Sequence, residues 1–142
     1  MDTRGAVVEV LHAPVVGAGP GAVGLDVDGV QAMKFNHIGI PTSGSFDGEI
    51  DLPHLQLTCS DHQGNPFGIQ WMRYWDGAPY PELVKTVAHV AFEVDDLPAA
   101  LEGRRVLIEP NSPSPGVSVA FIEVDGAPVE LLQIDHEQRP DL

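Results

Sequence analysis

"AHVAFEVDDLPAALEG", residues 88–103, opens with a histidine at the head of a short apolar run and then changes character. Its first half is β-branched and aromatic and reads as a strand over 88–94. Its second half reads as a helix: Asp95 or Asp96 can cap it, Pro98 fits its first turn, and Gly103 can end it. The histidine-led pattern has an echo upstream in "NHIGI", residues 36–40, which raises the question of an internal duplication.

A second pair of echoes supports duplication. "GIQWM" (68–72) and "PVELL" (128–132) each set a polar, carbonyl-bearing side chain between apolar neighbours. The paired positions are then His37 with His89 and Gln70 with Glu130, separated by 33 residues in the first copy and 41 in the second. Similar but unequal spacings suit two copies of one module, the second retaining a helix that the first has lost. A pseudo-two-fold axis between the copies would bring all four polar side chains to one central point.

The rest of the chain reads mostly as strands: 34–40, 54–60, 68–75, 105–109, 117–124 and 128–134 are short, β-branched or aromatic, and bounded by Gly, Pro, Asn or Asp. "PELVKTV" (81–87) offers one or two further helical turns, and the proline-rich "DGAPYPE" (76–82) and "PNSPSPG" (110–116) read as loops. "PTSGSFDGEIDLP" (41–53) is too short and too rich in turn residues for a helix of several turns.

"VVGAGPGAVG" (15–24) looks like a dinucleotide-binding turn, with "GAVVEVL" (5–11) as the strand before it. The helix that such a turn needs is missing, because "GLDVDGVQAMKFNHIGIP" (24–41) reads as strand, turn and strand, and no acidic residue stands where a ribose contact would need it. The glycines are expected to be a flexible turn in an N-terminal extension.

Composition narrows the function classes. A chain of 142 residues that is 43% hydrophobic suits one globular domain. With 21 acidic side chains against seven Lys plus Arg, the formal net charge is −14, which repels nucleic acid and anionic membranes. Cys59 is the only cysteine, so neither an intramolecular disulfide nor a thiolate zinc cluster can form within the chain. No apolar run reaches the length of a membrane span, and the expected location is the cytoplasm.

"FNHIGIP", "AHVAFEVDDLPAAL" and "GAPVELLQ" together resemble the vicinal oxygen chelate superfamily, which includes glyoxalase I, methylmalonyl-CoA epimerase, extradiol dioxygenases and bleomycin resistance proteins. The resemblance covers residues 33–142 and leaves 1–32 as an extension. It implies an α+β, mostly β fold, in which two pseudo-two-fold-related βαβββ-type modules form a cupped sheet around a central metal site. Here the modules are 33–80, which lacks its helix, and 81–142. By this resemblance one divalent metal ion is held by His37, Gln70, His89 and Glu130, the substrate is a small molecule, and the protein is a homodimer.

Two neutral imidazoles, one carboxylate and one amide oxygen around a divalent ion leave a net charge of about +1 and open positions for a substrate that chelates through adjacent oxygens. The implied activity is an isomerase, epimerase or lyase that moves a proton next to a chelated carbonyl, with Glu130 as base as well as ligand. The pattern His, Gln, His, Glu is closest to methylmalonyl-CoA epimerase. Strand alternation would place His54, Gln56 and Thr58 on one face, and His54 and His62 are candidates for the second acid or base. Two other readings remain: an iron(II) dioxygenase built on His37, His89 and Glu130, and a metal-free module that binds an antibiotic. Trp71, Tyr74 and Trp75 are expected in core and dimer packing, and Arg73 in a salt bridge.

Overall fold

A computed structural model describes residues 22–23 and 32–142. The elements are β1 (Ala22–Val23), β2 (Met33–Pro41), β3 (Ile50–Leu52), β4 (Leu57–Cys59), β5 (Ile69–Tyr74), α1 (Glu82–Thr86), β6 (His89–Glu93), α2 (Leu97–Leu101), β7 (Arg105–Ser114), β8 (Val117–Val124) and β9 (Ala127–Ile134). The strands form one curled, half-barrel sheet in the order β3-β4-β5-β2-β6-β9-β8-β7, with β1 added to β2.

This order reads the same from either end. β2 lies parallel to β5 in the first half as β6 lies parallel to β9 in the second, and the halves meet where β2 runs antiparallel to β6. Around the pair Ile38–Val90, His37 stands opposite Ala91 and Gly39 opposite His89. A local two-fold through that pair therefore exchanges His37 with His89 and Gly39 with Ala91. Gln70 pairs with Gly39 and Glu130 with Ala91, so these two also occupy equivalent places.

Period-two alternation sorts the strands into two faces. On the convex face Val94, Ala120, Ile122 and Leu131 pack with Leu97 of α2. The concave face carries two apolar clusters, one built on Ala91, Val117, Val119 and Leu132, the other on Leu57, Cys59 and Met72. In β5 the same alternation turns Gln70, Met72 and Tyr74 inward. It leaves Trp71 and Trp75 on the outer face, exposed rather than in the core, and of the three expected aromatics only Tyr74 packs inside. Arg73 lies on that outer face too, in a bidentate pair with Glu49.

Helix α2 falls inside the expected 95–103 segment. The Asp96 carboxylate accepts from the Ala99 amide, the Gln133 side chain accepts from Leu97 N, and Gly103 closes the end at φ 73°. No helix connects β2 to β3, where residues 42–49 form bends and turns. The β8–β9 hairpin turns on Asp125 and Gly126, both at positive φ, as a two-residue turn between right-twisted strands requires.

Two expectations are corrected. The strand expected over 54–60 is interrupted: Pro53–Leu55 is a 3₁₀ turn, and Gln56 takes a left-handed conformation at φ 55°. His54, Gln56 and Thr58 therefore do not share a strand face, and a strand at 50–52 pairs with the shortened β4 instead. The loop expected over 110–116 is largely strand, since β7 continues to Ser114 and turns only at Pro115–Gly116. As an edge strand β7 accommodates Pro110 and Pro113, and its register against β8 shifts three times along that length.

Within the glycine-rich stretch 15–24, Ala22 and Val23 pair antiparallel with Lys34 and Met33. The strand expected at 5–11, the remaining glycine-turn residues and the first part of the strand-turn-strand reading, up to residue 31, lie outside the described residues.

Candidate metal centre

The centre forms where the two halves of the sheet meet. His37 comes from β2, His89 from β6 and Glu130 from β9, all on the concave face and all buried, at 4%, 1% and 8% exposure. His37 Nε2 lies 3.3 Å and His89 Nε2 3.1 Å from the same atom, Glu130 Oε1. One donor atom from each residue falls within 4.8 Å of the others, a group that could hold a metal ion.

The support around each of the three residues differs. His37 Nδ1 is 2.6 Å from Asn36 Oδ1, which can only accept, so the ring proton sits on Nδ1 and Nε2 carries a lone pair. That lone pair faces the Glu130 carboxylate oxygen at 3.3 Å, an arrangement in which a metal ion could be held between them. Such fixing of the far ring nitrogen is the usual companion of a metal-ligating histidine. His89 has no such companion, because its Nδ1 is buried without a hydrogen-bond partner. Its ring is held by packing, edge-on to Phe121 at a centroid distance of 4.9 Å and directly over Gly39.

Glu130 is shaped by opposing forces. Burial alone pushes its carboxyl up, but hydrogen-bonding contacts with His37 and His89, and the charge those rings carry when protonated, bring it down to about 2. It is an anion throughout the neutral range. Cys59 behaves oppositely: burial, then the charge of Asp61, push its thiol up, so it stays protonated and is a poor ligand. The donor set of two imidazole nitrogens and one carboxylate fits a divalent transition metal, and the glycine at 39 leaves the space that the His89 ring fills.

The remaining sequence candidates divide. Gln70 lines the same cavity as His37 and Glu130, and its amide nitrogen donates to the Ser60 carbonyl at 3.1 Å. His62 stacks on His37 with ring centroids 4.6 Å apart and also lines the cavity. Burial, then the neighbouring His37, lower its pKa, which favours the neutral ring. His54 is brought elsewhere: it sits exposed on the 3₁₀ turn, with Nε2 3.3 Å from the Pro113 carbonyl oxygen and outside the cavity lining.

The cavity measures about 300 Å³. Polar groups gather at the centre, and the two apolar clusters of the concave face make its walls. Tyr74 faces it with a hydroxyl that burial, and then the Glu130 charge, keep protonated.

This fold has a solved counterpart. A hypothetical protein, BH1468 from Bacillus halodurans C-125, superposes with a TM-score of 0.52 over 71% of this chain and 94% of its own, at 17% sequence identity. At that identity the likeness concerns the fold. No protein-family model matches the chain, and no curated protein does either.

Sequence reasoning reached His37, His89 and Glu130 through the repeat but missed Asn36 and Gly39. Both lay in plain view beside His37 in "NHIGI": a side-chain acceptor next to the histidine, and a residue without Cβ on the same strand face.

Proposed function

We propose that the protein is a metal-dependent enzyme of the vicinal oxygen chelate type, an isomerase, epimerase or lyase that moves a proton next to the carbonyl of a small oxygen-rich substrate. The observation that carries this reading is the convergence of His37 Nε2 and His89 Nε2 on one Glu130 oxygen at the buried end of an open cavity. His37, His89 and Glu130 would hold the ion, with Gln70 at the position equivalent to Glu130 as a neutral fourth donor. When bound, a divalent ion supplies Lewis acidity that acidifies the carbon beside a chelated carbonyl.

The chain's own residues supply the rest. Asn36 fixes the His37 tautomer. Glu130 Oε2, the oxygen not shared with the imidazoles, would take a proton from substrate, and the ionised state of the carboxylate supports that role. His62, neutral and stacked over His37 at the cavity wall, is the second group able to hold a proton. The apolar walls exclude water from the reacting carbon.

A second reading rests on the same three residues: His37, His89 and Glu130 alone make a two-histidine, one-carboxylate set, the arrangement of iron(II) dioxygenases.

Elemental analysis of protein purified without chelator tests both, alongside a His89→Ala, Glu130→Ala double variant. About one divalent ion per chain that is lost in the variant supports the site. Iron then favours the dioxygenase, and cobalt, nickel, zinc or manganese the proton-transfer enzyme. No metal bound, and none taken up when offered, overturns both in favour of a metal-free binding protein.

A further inference from the structure

We infer that the substrate of this centre has an uncharged, apolar body, a single ring or a short branched chain, with its two chelating oxygens at one end. The inference rests on the metal-site reading above and concerns the walls rather than the ligands. Facing the centre, Leu57 and Met72 come from one half of the sheet and Val119, Phe121, Leu132 and Ile134 from the other. A ligand seated on the centre meets hydrocarbon on both sides.

Charge selects in the same direction. Arg139 is the sole lysine or arginine among the described residues that line the cavity. Its guanidinium is already neutralised: Nε and Nη2 bond the two Asp141 oxygens at 3.0 and 2.9 Å, and Nη1 donates to Ser114 Oγ and the Pro115 carbonyl. A substrate carrying phosphates or a second carboxylate would find no uncommitted cation there, and the overall charge of −14 works against it at longer range.

Size points the same way: at about 300 Å³ the cavity stands at the small end of ligand pockets. Thioesters of large phosphorylated carriers, which the resemblance to methylmalonyl-CoA epimerase would suggest, bring the wrong charge.

The test holds the chelating head constant and varies the body. The full chain is loaded with cobalt(II), whose visible d–d absorption reports inner-sphere ligation, and titrated with tropolone, 4-isopropyltropolone and tropolone-5-sulfonate. The isopropyl group should tighten binding about tenfold by burying three carbons, and the sulfonate should weaken it about tenfold. Ile108→Arg, a substitution on the edge strand β7 that adds a cation to the lining, should reverse the order of those two. A clear cobalt spectrum with equal affinities, or with the sulfonate tightest on the unaltered chain, overturns the inference while leaving the metal site standing. Absence of a cobalt spectrum overturns the metal-site reading itself, and the inference falls with it.

Discussion

Gly39 and His89 face each other across the β2–β6 seam, and a Cβ at position 39 would come within 2.2 Å of the His89 Cε1 and 2.5 Å of Nε2. The imidazole occupies the volume that any other residue at 39 would need. Because His89 is buried and its Nδ1 unbonded, that packing and the Nε2 contact with Glu130 Oε1 orient the ring.

Gly39→Ala should therefore displace a ligand without touching it. A metal affinity at least about tenfold weaker and a stability loss of about 1–3 kcal/mol are expected from overpacking at a closed site. Competition with a chromophoric chelator and thermal unfolding read the two effects. Unchanged metal binding would show that the ring is free to choose its place.

Asn36→Ala removes the acceptor that fixes the His37 tautomer. Loss of such an outer partner costs metal affinity by about 10–100-fold. The residue is only half-buried, so the unfolding temperature should move little. The same titration checks it, with Asn36→Asp expected to restore most of the affinity.

Acidification should release the metal through the imidazoles rather than the carboxylate. Glu130 is held at about 2, so its carboxylate stays charged under mildly acidic conditions, whereas a histidine must be neutral to ligate and protons compete with the metal for its ring nitrogen. Affinity should therefore fall as pH is lowered. Binding isotherms at pH 7.5 and 5.0 should differ by at least about tenfold; a flat profile would rule out histidine ligation.

Asp96→Ala removes the side-chain cap of α2, the helix that covers the convex core. A loss of about 1 kcal/mol is expected, a few degrees in unfolding temperature. Gln133→Ala, which takes the acceptor from Leu97 N, should add to it. Metal affinity should be unaffected in both, since the helix lies on the opposite face of the sheet from His89 and Glu130.

The duplicated architecture was legible because its signal is local. A histidine opening an apolar run and a carbonyl-bearing residue amid apolar neighbours can be seen twice in the sequence, and the pairings Gly39–Gln70 and Ala91–Glu130 place them equivalently. Helix α2 was legible for the same reason, since its cap, proline and terminal glycine lie within nine residues of chain. Two features escaped for physical reasons. Prolines at 110 and 113 signal a loop by local rules, but an edge strand leaves amide positions unpaired and tolerates them. The 3₁₀ turn at Pro53–Leu55 ends in a left-handed Gln56, a conformation that residue type does not announce, and it carried His54 away from the centre. His62 reaches His37 through a fold-level contact across 25 residues of chain, which no local pattern encodes.

The mirrored strand order also bears on charge. Two separate copies of one module, paired about an exact axis, would be obliged to present the same side chain at both positions that flank the seam. Fusion into a single polypeptide lifts that obligation, and here one position holds glutamine and the other glutamate. Carboxylates on both sides would cancel a divalent ion, whereas this unequal pair would leave one positive charge unbalanced. Broken symmetry of this kind would let a metal-loaded centre attract incoming oxygen atoms within a chain whose formal net charge is −14.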